Sequence, residues 1–276
     1  MTGATERWME TGGQRSRLLS AGEGNALLFL HGAGGVHGWI PFLAELERDF
    51  HVLHPEHPGF GLSPEDGTLS TVADLADHYA EFIRTLQLSD IHLVGSSFGG
   101  WLAAELALRV PERLRSLTLM APVGIVARPQ ATAAPQPGEE AYWRRLFASV
   151  QAADAMIASL DAARRAQNAR SRQAAARLAG PQFHDARLAA RLTEIALPTL
   201  LLWGDRDLLA PVSQASLWLD RLPDARLECI ARCGHLPHFE LPLEAAAQIR
   251  AHARAASAKP SQHISGSRNS NDEGFL

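Results

Sequence analysis

Three short segments of this 276-residue chain carry residue types that could work together on an acyl group. The first is Gly95-Ser96-Ser97-Phe98-Gly99, a G-x-S-x-G run. The second is Gly204-Asp205-Arg206-Asp207, and the third is Cys233-Gly234-His235-Leu236-Pro237-His238. A serine hydroxyl is a weak nucleophile near neutral pH and needs a base within hydrogen-bond reach. Imidazole can be that base, and a carboxylate behind it fixes the tautomer and steadies the imidazolium that forms. Ser97, His235 and an aspartate of the 204–207 run would therefore supply nucleophile, base and orienting acid for acyl transfer to water. With 12 His in the chain, a histidine alone says little. His235 stands out because it follows a glycine in a strand-end loop, downstream of both the serine and the acid.

A G-x-S-x-G pentapeptide can also be a plain glycine turn, so its setting matters. Ile91-His92-Leu93-Val94 reads as a strand immediately before it, and residues 101–110 read as a helix after it. That strand–turn–helix context is the one a nucleophile elbow requires. Its glycines leave no side chains to clash, so Ser97 can be held in a strained conformation with Oγ above the sheet. The helix that follows aims its free N–H groups and positive dipole end at a developing oxyanion. Ser96 reads as a packed elbow residue.

The elements needed to position these segments alternate along the chain. Apolar runs at 26–30, 50–53, 91–94, 117–120, 198–203 and 225–230 read as strands. Val72, Leu75, Tyr79, Phe82, Ile83 and Leu86 fall near helical spacing, with Thr71 and Asp74 placed for a capping box. A further helix is expected near residues 243–255. This rhythm predicts an α/β fold with a largely parallel sheet, whose sites lie at the C-terminal ends of the strands. Residues 125–195 break the pattern: they hold no convincing strand, are rich in Ala and Arg, and read as a helical insertion with a solvated basic face. Residues 257–276, with five Ser and little apolar content, read as a flexible tail.

Composition narrows the class. Hydrophobic residues at 46% and charged residues at 20% exclude wholesale disorder. A net charge of −4 argues against a nucleic-acid binder. Two cysteines cannot staple a fold of this size, the N-terminus lacks a signal pattern, and no apolar run reaches the roughly 18 residues of a membrane span. A cytoplasmic protein with a small-molecule substrate, and with no nucleic-acid or membrane partner, is the expectation. Cys229, Cys233, His235 and His238 form a C-x3-C-x-H-x2-H pattern atypical of structural zinc. A metal there would consume the imidazole that the serine needs, so no metal is expected.

Five ordered motifs together resemble the α/β-hydrolase superfamily over about residues 25–255. They are His31-Gly32-Ala33-Gly34-Gly35, Pro58-Gly59-Phe60-Gly61-Leu62-Ser63, the Ser97 segment with Gly100, Trp203-Gly204-Asp205-Arg206-Asp207, and Gly234-His235-Leu236-Pro237-His238-Phe239-Glu240. The resemblance implies a mostly parallel central sheet flanked by helices, built from residues 1–124 and 196–256. Residues 125–195 then correspond to an inserted helical cap. It implies Ser97 as nucleophile, His235 as base and Asp207 as acid, because the family's acid usually lies three residues after the strand-end glycine. Asp205 is left as a turn residue. The backbone N–H groups of Ala33 and Phe98 are implied as the oxyanion hole, with no metal or organic cofactor.

One departure from the family pattern is His54-Pro55-Glu56-His57, where relatives commonly show Pro-Asp. Glu56 is expected to replace the aspartate structurally, with His54 and His57 as loop residues. Trp39, Phe98, Trp143, Phe147 and Leu236 form an apolar set suited to the walls of a substrate pocket. Hydrolysis of a carboxylic ester of a small hydrophobic substrate is the expected activity. The first alternative is carbon–carbon bond hydrolysis of ring-cleavage products, although family members with that activity usually carry Asn where this chain has Ser96. The second is a non-catalytic small-molecule binder on the same fold.

Overall fold

Strands that are apolar at every position must be covered on both faces, and this is how the chain uses them. The computed structural model describes residues 3–65, 67–125, 139–180 and 183–258. Six strands run parallel: β3 (Ala26–Leu30), β4 (His51–Pro55), β5 (Ile91–Ser96), β6 (Leu114–Met120), β7 (Thr199–Gly204) and β8 (Ala225–Ile230). They join β1 (Thr5–Thr11) and β2 (Gln14–Ala21) in one eight-stranded sheet of order β1-β2-β4-β3-β5-β6-β7-β8. This is the α/β-hydrolase architecture.

Side chains alternate across the sheet as a two-residue period demands. Leu28, Leu30, Leu53 and Leu93 face a core built with α2 (Val72–Thr85) and α3 (Phe98–Ala107). Leu27, Phe29, Val52 and Val94 face the other core, with α1 (Pro41–Leu46) and α10 (Pro242–Ala258). The capping box of α2 is formed: Thr71 Oγ accepts from the Asp74 N–H, and the Asp74 carboxylate accepts from the Thr71 N–H. After β7 the chain makes the short helix α8 (Ala215–Leu219), and after β8 the single turn α9 (Pro237–Glu240).

The β1–β2 hairpin has no counterpart in the sequence reading, which places no strand before residue 26. It turns through Gly12 and Gly13, both at positive φ (54° and 80°), with Thr11 paired to Gln14. Two residues at positive φ between antiparallel strands match the favoured hairpin turn, a signal present in the Gly-Gly pair. Helix α1 is a second unread element.

Between β6 and β7 lie α4 (Glu139–Leu146), α5 (Val150–Ser159), α6 (Ala162–Ala179) and α7 (Ala186–Arg191). Trp143, Leu146, Phe147, Ala153, Ile157 and Leu160 gather into a third cluster here, closed from the sheet side by Leu236. Of the expected cap, residues 126–138 and 181–182 fall outside the described residues, as do residues 259–276 of the expected tail. Among the described residues, no helix is long and apolar enough to cross a membrane.

Glu56 is fully buried and ion-paired with Arg17 of β2 at 3.0 Å. Its other oxygen accepts from the backbone N–H groups of Leu62 and Ser63, both at 2.9 Å. A buried carboxylate is tolerable only when paired and hydrogen-bonded in this way. The carboxylate thereby ties the 57–63 loop to β2.

Candidate active site

Ser97 sits between β5 and α3 with φ 54° and ψ −115°, a conformation that costs a non-glycine residue about 1–3 kcal/mol. Its own N–H donates to the Met120 carbonyl at 2.9 Å. The glycines on either side are needed for close approach. A Cβ on Gly95 would lie 2.1 Å from the Gly99 carbonyl oxygen, and one on Gly99 would lie 2.1 Å from that of Leu30. Strand, turn and helix pack backbone to backbone, and the strained serine is held by that packing.

Ser97 Oγ lies 2.8 Å from His235 Nε2, and His235 Nδ1 lies 2.7 Å from Asp207 Oδ2. All three side chains are buried. The second oxygen, Asp207 Oδ1, accepts from the Leu209 and Ala210 N–H groups, both at 2.8 Å. With Nδ1–H donated to the carboxylate, Nε2 keeps its lone pair toward the hydroxyl. That arrangement is what general-base activation of a serine requires. Asp205 is exposed, and its carboxylate accepts instead from the Cys233 N–H at 3.3 Å. Of the two aspartates, the structure brings Asp207 to His235.

The loop that carries His235 is held from the helical segment. The His235 N–H donates to the Leu146 carbonyl at 2.8 Å. The Glu240 carboxylate accepts from the N–H groups of Gly234 (2.7 Å), Ala148 (3.1 Å) and Ser149 (2.7 Å). Reading the sequence missed this clamp, although Glu240 closes the last of the five motifs.

Ala33 borders the same cleft as Ser97, and Phe98 opens α3, where first-turn N–H groups lack an intrahelical partner. The cleft encloses about 550 Å³ including its open mouth. Its apolar lining includes Phe29, Ile40, Trp143, Leu146, Leu236 and Phe239. Trp143 and Leu236 are thus placed where a pocket wall needs them; Trp39 and Phe147 do not line the cleft. The Trp39 indole N–H donates to Glu47 while its ring packs against the α1/α10 core, and Phe147 is spent inside the Trp143 cluster. The Phe98 ring is buried among Phe60, Trp101 and Phe183. Ser96 is buried as well, its Oγ without a hydrogen-bond partner among the described residues.

Histidines supply most of the polar lining, and the sequence reading understated them. His31, His37, His54 and His238 border the cleft along with His235. Burial pushes His37 and His54 down to about 4 and His238 to about 3, and holds His31 well below its ordinary value. All four are uncharged at neutral pH. His54 is a β4 residue, and His57, though in a loop, is fully buried. The His57 ring stacks on His31 with centroids 3.7 Å apart. The His57 N–H donates to His31 Nε2 at 3.0 Å, and His57 Nε2 donates to the His31 carbonyl at 3.1 Å. Tyr79 in turn donates to His57 Nδ1 at 2.6 Å, so helix α2 braces the loop that carries Ala33.

Cys229 is exposed, whereas Cys233 is buried with its thiol pushed up to about 12 by burial and by the nearby Glu240 and Glu244 carboxylates. Among the described residues, no group of three or more His, Cys, Asp and Glu is arranged to hold a metal ion.

A profile of the alpha/beta hydrolase family matches residues 27–249, and the chain belongs to that family. It is 30% identical to 2-hydroxymuconate semialdehyde hydrolase of Pseudomonas sp. (strain CF600), over 83% of this chain and 86% of that protein. It is 34% identical to the Pseudomonas putida protein of the same name, with the same coverage. Among solved structures, a membrane phospholipase A described as a bacterial virulence factor superposes with a TM-score of 0.77 at 27% identity, covering 93% of this chain and 88% of that one. The 2-hydroxy-6-oxo-6-phenylhexa-2,4-dienoate hydrolase of Rhodococcus sp. strain RHA1 shares the fold, with a TM-score of 0.74 at 21% identity, covering 92% of this chain and 100% of that one. Family and relatives alike make this chain a hydrolase.

Proposed function

We propose that the chain is a serine hydrolase that cleaves a carboxylic ester of a small hydrophobic substrate through an acyl-enzyme at Ser97. The observation that carries this reading is the continuous line from hydroxyl to imidazole to carboxylate, 2.8 and 2.7 Å long, at the wall of a cleft lined by apolar side chains and uncharged histidines. His235 Nε2 takes the Ser97 proton as Oγ adds to the ester carbonyl, and the imidazolium is stabilised by Asp207. The Ala33 and Phe98 N–H groups receive the oxyanion; one such donor typically contributes about a hundred- to a thousand-fold in rate. His235 then protonates the leaving alkoxide, and water removes the acyl group by the same steps in reverse roles. A fluorophosphonate probe should label the wild type and leave Ser97→Ala unlabelled. Folded wild type that resists the probe and turns over no p-nitrophenyl acetate would sink the reading.

A second reading has its own support in the two 2-hydroxymuconate semialdehyde hydrolases at 30% and 34% identity. In that reaction the same machinery would add water across a carbon–carbon bond beside an aldehyde or ketone carbonyl, releasing that carbonyl carbon as a carboxylic acid. The electron pair of the broken bond would pass into the conjugated carbonyl of the substrate's keto tautomer, giving a dienolate that is then protonated. Loss of the dienol chromophore of a ring-cleavage product, at a kcat/KM well above that for simple esters, would favour this second reading.

A further inference from the structure

We infer that His54 and His238 form a polar subsite in the cleft, apart from Ser97, that takes an uncharged hydroxyl group of the substrate. His54 stands on β4 and Ser97 follows β5, with β3 between them. Two strand spacings put the subsite roughly 10 Å from the nucleophile. The inference relies on the serine-hydrolase reading only to say which end of the substrate reacts.

The hydrogen-bond pattern specifies the ligand. His54 Nδ1 donates to the Phe29 carbonyl at 3.1 Å, which leaves Nε2 as a lone-pair acceptor with no protein partner among the described residues. The ring borders the cleft. His238 borders it too, wedged edge-on against Phe29 and Phe42 with centroids 5.6 and 5.8 Å apart. Its Nδ1 is buried without a hydrogen-bond partner among the described residues. That atom is closed off from the cleft, so the His238 ring can meet a ligand only through Nε2, and a hydroxyl donating to His54 Nε2 exchanges a hydrogen bond to water for one to the protein.

A neutral imidazole carries one N–H and one lone pair, and a hydroxyl can answer both. A carboxylate offers only acceptors and would set a negative charge against the His54 lone pair. An ammonium would be desolvated beside rings that carry no charge. A methyl group would leave the ring nitrogens dry and unmatched. Both rings are held neutral by the burial described above, so the discrimination is by hydrogen bonding and not by charge pairing. The competing explanation is that His54 only packs β4 against Phe29, its ring stacked there at 4.9 Å.

Equilibrium binding separates the two without depending on turnover. The ligands are heptanamide, the isosteric 6-hydroxyhexanamide and the monoamide of adipic acid. Calorimetry on the full chain carrying Ser97→Ala should rank the hydroxyl compound about fivefold tighter than the alkyl one, the value of one neutral hydrogen bond. The anion should be weakest at pH 8. Adding His54→Leu should reverse the order of the first two, and His54→Gln should restore part of the preference. Alkyl binding as tight as hydroxyl in the protein with His54 intact overturns the subsite, and so does a preference that His54→Leu leaves unaltered. The intact-His54 comparison is decisive even if the leucine variant does not fold. Failure of Ser97 labelling in the wild type would remove the hydrolase reading and leave this ranking to stand or fall separately.

Discussion

The strand ends that carry Ser97, Asp207 and His235 are held differently from the helical segment between β6 and β7. At the elbow, backbone meets backbone: the sites of Gly95 and Gly99 admit no Cβ, and the serine is fixed by close packing from several sides. The helical segment is fastened in two ways: Ala174, Ala175, Leu178 and Leu188 of α6 and α7 join the core shared with α2 and α3, while α4 and α5 rest on the Trp143 cluster and a handful of polar ties. Glu240 holds Ala148 and Ser149, Arg164 Nη1 donates to the Val36 carbonyl at 2.7 Å, and Ser171 Oγ accepts from the Gly61 N–H at 3.0 Å. Backbone packing positions Ser97, whereas α4 and α5 are positioned by a small apolar cluster and separable side-chain ties. The first arrangement resists adjustment, and the second can be altered one tie at a time.

The sharpest way to break this contrast is at the reacting groups. Ser97→Ala should lower ester turnover by roughly 10⁴- to 10⁶-fold with an unchanged melting temperature. Asp207→Asn should cost about 10⁴-fold in kcat by spoiling the histidine tautomer, and Asp205→Asn less than about tenfold. Equal losses at the two aspartates would mean that the 2.7 Å contact is not the one that orients His235. Glu240→Gln tests the ties, because one acceptor oxygen becomes a donor and leaves a single acceptor for the N–H groups of Gly234, Ala148 and Ser149. Displacing the His235 loop should lower kcat/KM by about 10²-fold, and the melting temperature should fall less than it does for a core cavity. A large loss of stability with kcat/KM intact would show that the clamp serves folding alone.

Acid should distinguish the two regions as well. His37, His54, His57, His92, His238 and His252 all lie outside residues 139–191, and burial depresses every one, to about 3 or 4. The unfolded chain binds protons at these sites first, so stability is full above about pH 6.5 and falls as pH drops from there toward 4. Each group adds up to about 1.4 kcal/mol per pH unit inside that window. Chemical denaturation at pH 7.5 and 5.5 should show the loss, and stability that rises on acidification would contradict it. The smallest effect expected is Thr71→Ala, which removes the α2 cap for about 1 kcal/mol, measurable as a shifted urea midpoint.

Much of this was legible in the residues. The Ser97, Asp207 and His235 segments, the strand rhythm from residue 26 onward and the α2 capping box rest on short-range patterns, and local sequence carries such patterns well. The N-terminal hairpin was passed over because β1 is largely exposed and charged, although Gly12-Gly13 marked its turn. Trp39 and Phe147 show the limit on the other side. An aromatic side chain packs equally well in a core or a pocket, and only the surrounding elements settle which.

Sequence alone pointed to the candidate triad, because a serine between glycines, and an acid and a histidine each just beyond a strand, are written in neighbouring residues, and the family resemblance chose Asp207 over Asp205. Tertiary structure alone decided that His54 borders the cleft with a free acceptor nitrogen, that His57 braces the Ala33 loop, and that Glu240 joins the histidine loop to the helices above it. Those roles depend on contacts between residues far apart in the chain, where hydrogen-bond direction and burial, not residue type, set what a side chain can do.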